Sequence, residues 1–389
     1  MRGVYIGADA TNPTLILRLR SFLRAGIDLT AFTFRRTKFN ADYQPEWTNI
    51  HLGNTVDRKY WKRVPALLRA AFKLWRNRKT IHQSEFVYCR NFDLLVLGLW
   101  AKCLCAGKIT LVYEIEDVQE VFFKNNVTGA FFRFVERRIL NWVDLVVCMS
   151  PGFVTGYLEP VQNYSGPHYI LENKLQPHGM STEPIEAGAV WKTVRDKWVI
   201  GWFGTLRCPK SMKILEGVAE ALGDRVEIYT RGYPTETGLE AYMEIVNRHP
   251  NWTYEGEYTI PQDLQQMYGR VHFSWCLDFL DEAGNSPLLL ACRMYQGGYF
   301  GAVPLVVKGW EMDRWLREKH VGFAISEPYA ESIVELLTSL DWTGYEAQRD
   351  RMMEIRDDAF LEDGSDTRDM LDMIADITEA KHTRSTQAV

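Results

Sequence analysis

The sequence predicts an α/β chain of two Rossmann-like domains facing a cleft. Short apolar runs alternate with amphipathic helical stretches along nearly all of the 389 residues. The alternation lapses once, between 176 and 194, where Pro177, Gly179, Ser181, Pro184 and Gly188 cluster, and then starts afresh. Several apolar runs also end in a glycine or a polar loop just before a helical stretch, the habit of a parallel sheet.

The elements follow in order. Gly3 to Gly7 reads as a buried strand, Ala8 to Pro13 as a loop, and Leu15 to Ala25 as a helix stopped by Gly26. Strands are expected at 28–34, 86–89, 109–114, 145–149 and 170–171, with helices at 94–105, 130–142 and 150–158 between them. After the linker come a strand at 199–203, a turn at 204–209 and a helix at 212–222. Further strands are expected at 226–230, 253–255, 272–275 and 305–307. The expected domains are 1–175, a linker 176–194, and 195–345. A helical segment at 346–389 would pack back on the first domain, with a frayed tail from Lys381.

Composition narrows the function. A net charge of −5 argues against a general nucleic-acid binder. Seven cysteines, an odd number with no paired CxxC, suggest neither zinc nor a disulfide framework, and fit a reducing, cytoplasmic setting. The apolar start is too short for a signal peptide, and no run is long enough to span a bilayer, so any membrane contact is expected to be peripheral. Acids and histidines show no metal-ligand spacing, and His168 and His178 are given no catalytic role.

The stretch Val199 to Ser211 is the most informative. A strand runs into Gly204, Thr205 and Leu206, then Arg207 and Lys210 precede a helix. Gly204 lets a ligand approach the backbone, the helix start offers free N–H groups, and the two cations suit a diphosphate. Seen alone, this is also an ordinary βα turn with solvated cations. A second cluster strengthens it: Asn285, Ser286 and Pro287, then Arg293 and Gln296 on a helix, then the turn and strand Gly301 to Val307. Arg231 and Tyr258 follow other strands of this half and are candidates beside a nucleotide. In the first half, Asp9 follows the first strand, and Glu116 and Asp117 follow the strand that ends near Glu114. A carboxylate there would orient or deprotonate an acceptor hydroxyl. Asp117 is the first choice and Glu116 the second. Glu136 reads as surface charge.

These residues resemble the family 4 glycosyltransferases of the exopolysaccharide type, which have the GT-B architecture. Gly204-Thr205-Leu206 with Lys210 matches that family's first donor loop, and Asn285, Pro287, Arg293 and Gln296 ahead of Gly301 to Val307 match its second. Gln296 stands where the family has a glutamate, Asn285 stands at the other acidic position, and Thr205 replaces a common arginine whose charge Arg207 would supply. The resemblance implies a retaining transfer from a UDP- or GDP-linked sugar, with cationic side chains rather than a metal cofactor neutralising the diphosphate. Two rival readings go with it: an inactive, scaffolding homologue, since both acids are replaced, and a nucleotide-sugar epimerase.

One stretch points to a surface. From Arg58 to Lys79 there are nine cations and no acid, with Trp61, Val64, Leu68, Phe72 and Trp75 near helical spacing. Arg58, Lys59, Trp61, Lys62, Arg63, Arg69, Lys73, Trp75 and Arg76 would meet an anionic membrane, on the inner face of the plasma membrane, carrying a lipid-linked saccharide acceptor. The plainer alternative is a surface helix covering the first domain.

Overall fold

The structure is a computed structural model that describes residues 1–36, 42–55, 60–176, 196–235 and 238–387. It divides into two compact units, Met1–Glu172 with Gly364–Val389, and Asn173–Asp363. The expected linker from 177 onward lies outside the described residues.

The first unit holds a parallel sheet of β1 (Arg2–Gly7), β2 (Asp28–Arg35), β3 (Thr48–Asn54), β4 (Phe86–Arg90), β5 (Thr110–Ile115), β6 (Leu145–Cys148) and β7 (His168–Ile170). Its order is β3-β2-β1-β4-β5-β6-β7. β4 and β5 are buried at every residue, because helices cover both faces, which is why they read as unbroken apolar runs. The helix Pro13–Arg24 starts where Asn12 Oδ1 accepts from the N–H groups of Thr14 and Leu15 and proline takes the first helical position. Its inward line of Leu15, Leu19 and Phe22 packs with Tyr5, Tyr88 and Val112.

The second unit holds β8 (Trp198–Thr205), β9 (Val226–Tyr233), β10 (Trp252–Tyr254), β11 (Phe273–Trp275), β12 (Val303–Val307) and β13 (Phe323–Ile325). Their order is β10-β9-β8-β11-β12-β13, again parallel. Strand order therefore reverses between β1 and β4 in one unit and between β8 and β11 in the other. Ligands of such sheets sit outside the carboxyl ends at these points. β3 and β13 were not expected from the sequence. Both are edge strands with mixed exposure, so neither carries an apolar run.

The end of the chain also differs from expectation. Residues 346–363 belong to the second unit, and the chain returns to the first at Gly364. The helix Ser365–Gln387 places Met370, Leu371 and Ile374 in the core with Leu15 and Leu19. Lys381 is not frayed. Its Nζ donates to Ile109 O at 2.9 Å and Asp144 Oδ2 at 3.0 Å. Asp144 also takes Lys102 Nζ and the Leu111 N–H, each at 2.7 Å, so one carboxylate ties three elements together.

Glu136 is a second correction, since it is 1% exposed rather than a surface charge. Tyr113 Oη and Gln162 Nε2 donate to it at 2.7 Å, and Tyr157 Oη donates as well. Burial pushes its carboxyl up from 4.5 to about 7, and the three donors only partly oppose this. The folded state therefore holds this proton more tightly than the unfolded chain. The site stabilises most below pH 4.5, and that contribution is lost as pH rises to about 7. In urea titrations, wild type should lose up to ~1.4 kcal/mol per pH unit relative to Glu136→Gln across this window. Parallel pH profiles for the two proteins would contradict this.

Candidate functional site

In the second unit, three adjacent strands end in backbone that only glycine adopts easily. Gly204 on β8 pairs with Gly232 on β9, and the Gly232 N–H donates to Gly256 O at 2.7 Å beyond β10. Their φ angles are +112°, +128° and +72°. A Cβ at Gly232 would lie 1.8 Å from Gly204 O, so the two strand ends meet backbone to backbone. At Gly204 the space is open apart from the Tyr258 hydroxyl, 3.9 Å from where a Cβ would be. Thus Gly204 and Tyr258, chosen separately from sequence, come together. Burial raises the pKa of Tyr258, with Arg293 acting in the opposite direction.

Beyond Gly204 the chain turns, with the Arg207 N–H donating to Thr205 O at 2.8 Å, and enters the helix Pro209–Leu222. Cys208 caps it, its Sγ accepting from the Ser211 N–H at 3.4 Å. Lys210, in the first turn, reaches Glu282 Oε2 at 2.8 Å and lies over the rings of Phe279 and Tyr329. Partial burial would lower its pKa, but Glu282 and neighbouring carboxylates leave it raised. The Arg207 side chain is half-buried and makes no hydrogen bond or ion pair among the described residues.

The loop after β11 faces the same turn, since Ser211 Oγ donates to Leu277 O at 3.5 Å. Asp278 organises this loop. Its Oδ1 accepts from Leu280 N and Ser286 Oγ, and its Oδ2 lies 3.4 Å from Arg293 Nη2. Ser286 is 2% exposed and holds the loop, also accepting from the Asp281 N–H. The Asn285 N–H donates to Asp281 Oδ2. Gln296, on the helix Cys292–Tyr299, accepts from Tyr268 Oη at 3.3 Å. Arg231 is turned toward the loop after β10, donating to Glu257 O at 2.6 Å near Asp263. Sequence reasoning missed Asp278. The run Asp278, Asp281, Glu282 directly behind a buried strand was the available signal.

The first unit gathers charge differently. At the reversal point Arg90 and Arg18, 3% and 4% exposed, meet Glu114, which is fully buried. Arg18 Nε donates to Glu114 Oε1 at 3.1 Å, and Arg90 Nε lies 3.5 Å from Glu114 Oε2. Arg90 Nη2 reaches Glu116 Oε1 at 3.1 Å, and its Nη1 donates to Thr14 Oγ1 at 3.0 Å. Burial works against the charge on Arg90, but Glu116 and Glu114 hold its pKa above the ordinary value. Glu116 is thus committed to an ion pair, while Asp117 beside it is exposed. Asp9 does not enter this cluster. It is 5% exposed, and its Oδ1 accepts from the N–H groups of Thr11 and Arg36 and from Thr11 Oγ1, which makes it a loop-holding residue. The sequence did not single out Arg18 or Arg90.

The basic stretch forms the helix Tyr60–Arg76. Arg58 and Lys59 lie outside the described residues, as do the side chains of Trp61, Lys62 and Arg63. Arg69, Arg76 and Trp75 are exposed, while Lys73 is half-buried and donates to His51 O at 2.8 Å. Among the described residues no helix is long and apolar enough to cross a membrane.

Replacing Arg90 by methionine leaves Glu114 and Glu116 undercompensated and should cost ~3–5 kcal/mol in chemical unfolding. A loss below ~1 kcal/mol would mean that the cluster does not hold the sheet end together. Gly232→Ala should cost at least ~2 kcal/mol by backbone strain and contact with Gly204, and an unchanged melting curve would exclude that close approach.

No protein-family model matches the chain. It is 28% identical over 376 residues to the succinoglycan biosynthesis protein ExoL of Rhizobium meliloti, covering 96% of this chain and 93% of that one. HepE of Anabaena, solved in complex with UDP and glucose, superposes with a TM-score of 0.64 at 13% identity and full coverage of both chains. WaaG, a glycosyltransferase involved in lipopolysaccharide biosynthesis, does so with a TM-score of 0.65 at 11% identity, covering 95% of this chain and 99% of that one. The chain therefore has the two-Rossmann, GT-B fold of these solved proteins.

Proposed function

We propose that this chain is a glycosyltransferase that moves a sugar from a nucleotide-sugar donor onto a lipid-linked saccharide in bacterial surface or exopolysaccharide synthesis. The observation that carries the reading is at the end of β8. Bare glycine backbone, a helix start and the guanidinium of Arg207, which has no partner among the described residues, converge at the point where strand order reverses. This arrangement suits a diphosphate. Arg207 meets it with a planar fork and Lys210 with a point charge. The Lys210–Glu282 pair is exposed and costs little to open, so phosphate oxygens can take the place of the carboxylate. Arg293 is steadied by Asp278 on the neighbouring loop.

When the sugar leaves its nucleotide, negative charge grows on the departing diphosphate, and the cations stabilise it more as the bond breaks. No resident cofactor enters this scheme, because the nucleotide sugar is a substrate. A UDP-linked donor is favoured over a GDP-linked one by the UDP-bound HepE structure. Gln296 and Asn285 offer amides to ribose or sugar hydroxyls. In the first unit Asp117, which is exposed behind β5, is the carboxylate proposed for the acceptor hydroxyl. The resemblance to family 4 enzymes favours retention of anomeric configuration, which the anomer of the first-formed product would reveal. The exposed cations and aromatics of the helix Tyr60–Arg76 favour a peripheral seat on the cytoplasmic, inner face of the membrane, where a lipid-linked acceptor is presented.

The test uses purified protein, UDP- and GDP-sugars, and membranes or lipid-linked oligosaccharide as acceptor. UDP-sugar should raise the melting temperature and support transfer. Arg207→Ala should cut the transfer rate by ~10²-fold or more and the double variant with Lys210→Ala further. Unchanged nucleotide affinity and transfer in the double variant would overturn the proposed site.

A further inference from the structure

Three neighbouring helices of the first unit turn apolar side chains outward in regular lines. On Tyr60–Arg76 these are Val64, Leu68, Phe72 and Trp75, and on Phe92–Leu104 they are Val96 and Trp100. On Val127–Leu140 they are Val127, Phe131 and Phe134, which are 87%, 60% and 54% exposed. Steps of three and four place each set on one side of its helix. The opposite sides already have their core contacts, through Ala70 and Leu74, Leu94 and Leu95, and Ile139 and Leu140. Each helix is thus apolar on two sides, and packing within the unit uses only one.

The helices that carry these lines are neighbours. Trp100 Nε1 donates to Ala71 O at 3.1 Å, and Phe92 packs edge-on against Phe132 at 5.8 Å. Charge around them is mostly positive, and the exposed Glu120 ahead of the third helix is paired with Lys124 at 3.1 Å. Arg69, Arg76, Arg137 and Arg138 are exposed, and the Arg138 guanidinium sits 5.1 Å from the Phe134 ring centre. Of the acids on the described parts of these helices, Glu136 is buried and Asp93 half-buried.

We propose that the helix Val127–Leu140 and the basic helix Tyr60–Arg76, which both adjoin the helix Phe92–Leu104, form a single surface that inserts into an anionic lipid bilayer. The inference rests on the peripheral seat proposed above and adds a second, sequence-distant element to it. Apolar tips enter the acyl boundary while the arginines meet lipid phosphates. A second copy of the chain fits the face less well, because a two-fold interface would set these arginines against one another, and no exposed carboxylate on the described parts of the three helices offsets them.

Vesicle flotation tests this, with phosphatidylcholine vesicles with or without phosphatidylglycerol. Wild type should float with the anionic vesicles. Phe131→Gln/Phe134→Gln, altering only exposed positions, should bind at least ~10-fold less, with an unchanged melting curve and unchanged stabilisation by UDP. If this variant floats like wild type while Leu68→Gln/Phe72→Gln does not, the surface ends at the basic helix and the inference is wrong. If wild type itself does not float, the peripheral seat falls and the inference with it. A wild-type dimer in light scattering that the Phe131 and Phe134 changes dissociate would assign the face to a second copy and overturn the lipid assignment.

Discussion

A parallel sheet sheathed by helices on both faces has almost no room for unpaired polar groups except where its strands end. β4 and β5 show the constraint, with every residue buried. Polar chemistry is therefore pushed to the carboxyl ends, and the reversal of strand order opens space there. Both units of this chain obey the rule, and each uses the space differently.

In the first unit the space is filled. Arg18 and Arg90 balance Glu114 and Glu116, so two positive charges and the Glu114 carboxylate come out of water together, with Glu116 half-buried beside them. Such a cluster is a costly way to stabilise a fold, because desolvation consumes most of what the attraction returns. What it does achieve is geometry. It ties the helix Pro13–Arg24 to β4, β5 and the loop holding Asp117, leaving that carboxylate exposed beside a fixed neighbour. In the second unit the space is left open. Its floor is glycine backbone, and among the described residues Arg207 has no carboxylate to answer it. One reversal point is electrically satisfied, while the other keeps a cation in reserve for an anion brought from outside.

The helices that cover the first sheet have a second outward property. Their inner lines complete the core, and their outer lines add aromatic and aliphatic side chains bordered by arginine. Burying one side satisfies folding and places no demand on the other, so the outer lines are free to serve a surface that meets the protein later. The sequence flagged this on one helix because nine cations without an acid stand out locally. It passed over Val127–Leu140, where Glu136 breaks the charge run, although that acid points inward.

The amino-acid sequence by itself determined the two-domain α/β class, most strands and the glycine–cation–helix turn at Gly204, Arg207 and Lys210. These signals are local, since periodicity, a glycine at a strand end and a capping residue act within a few positions. It did not reveal β3 and β13, whose half-exposed edges carry no apolar run. Nor did it reveal that Arg18, Arg90 and Glu136 are buried or that Asp278 steadies Arg293. A charged side chain looks the same in sequence whether water or a partner surrounds it, and the partner of Arg18 is 96 residues away. Only tertiary packing decided which charges lost their water, because burial depends on what the folded chain brings alongside.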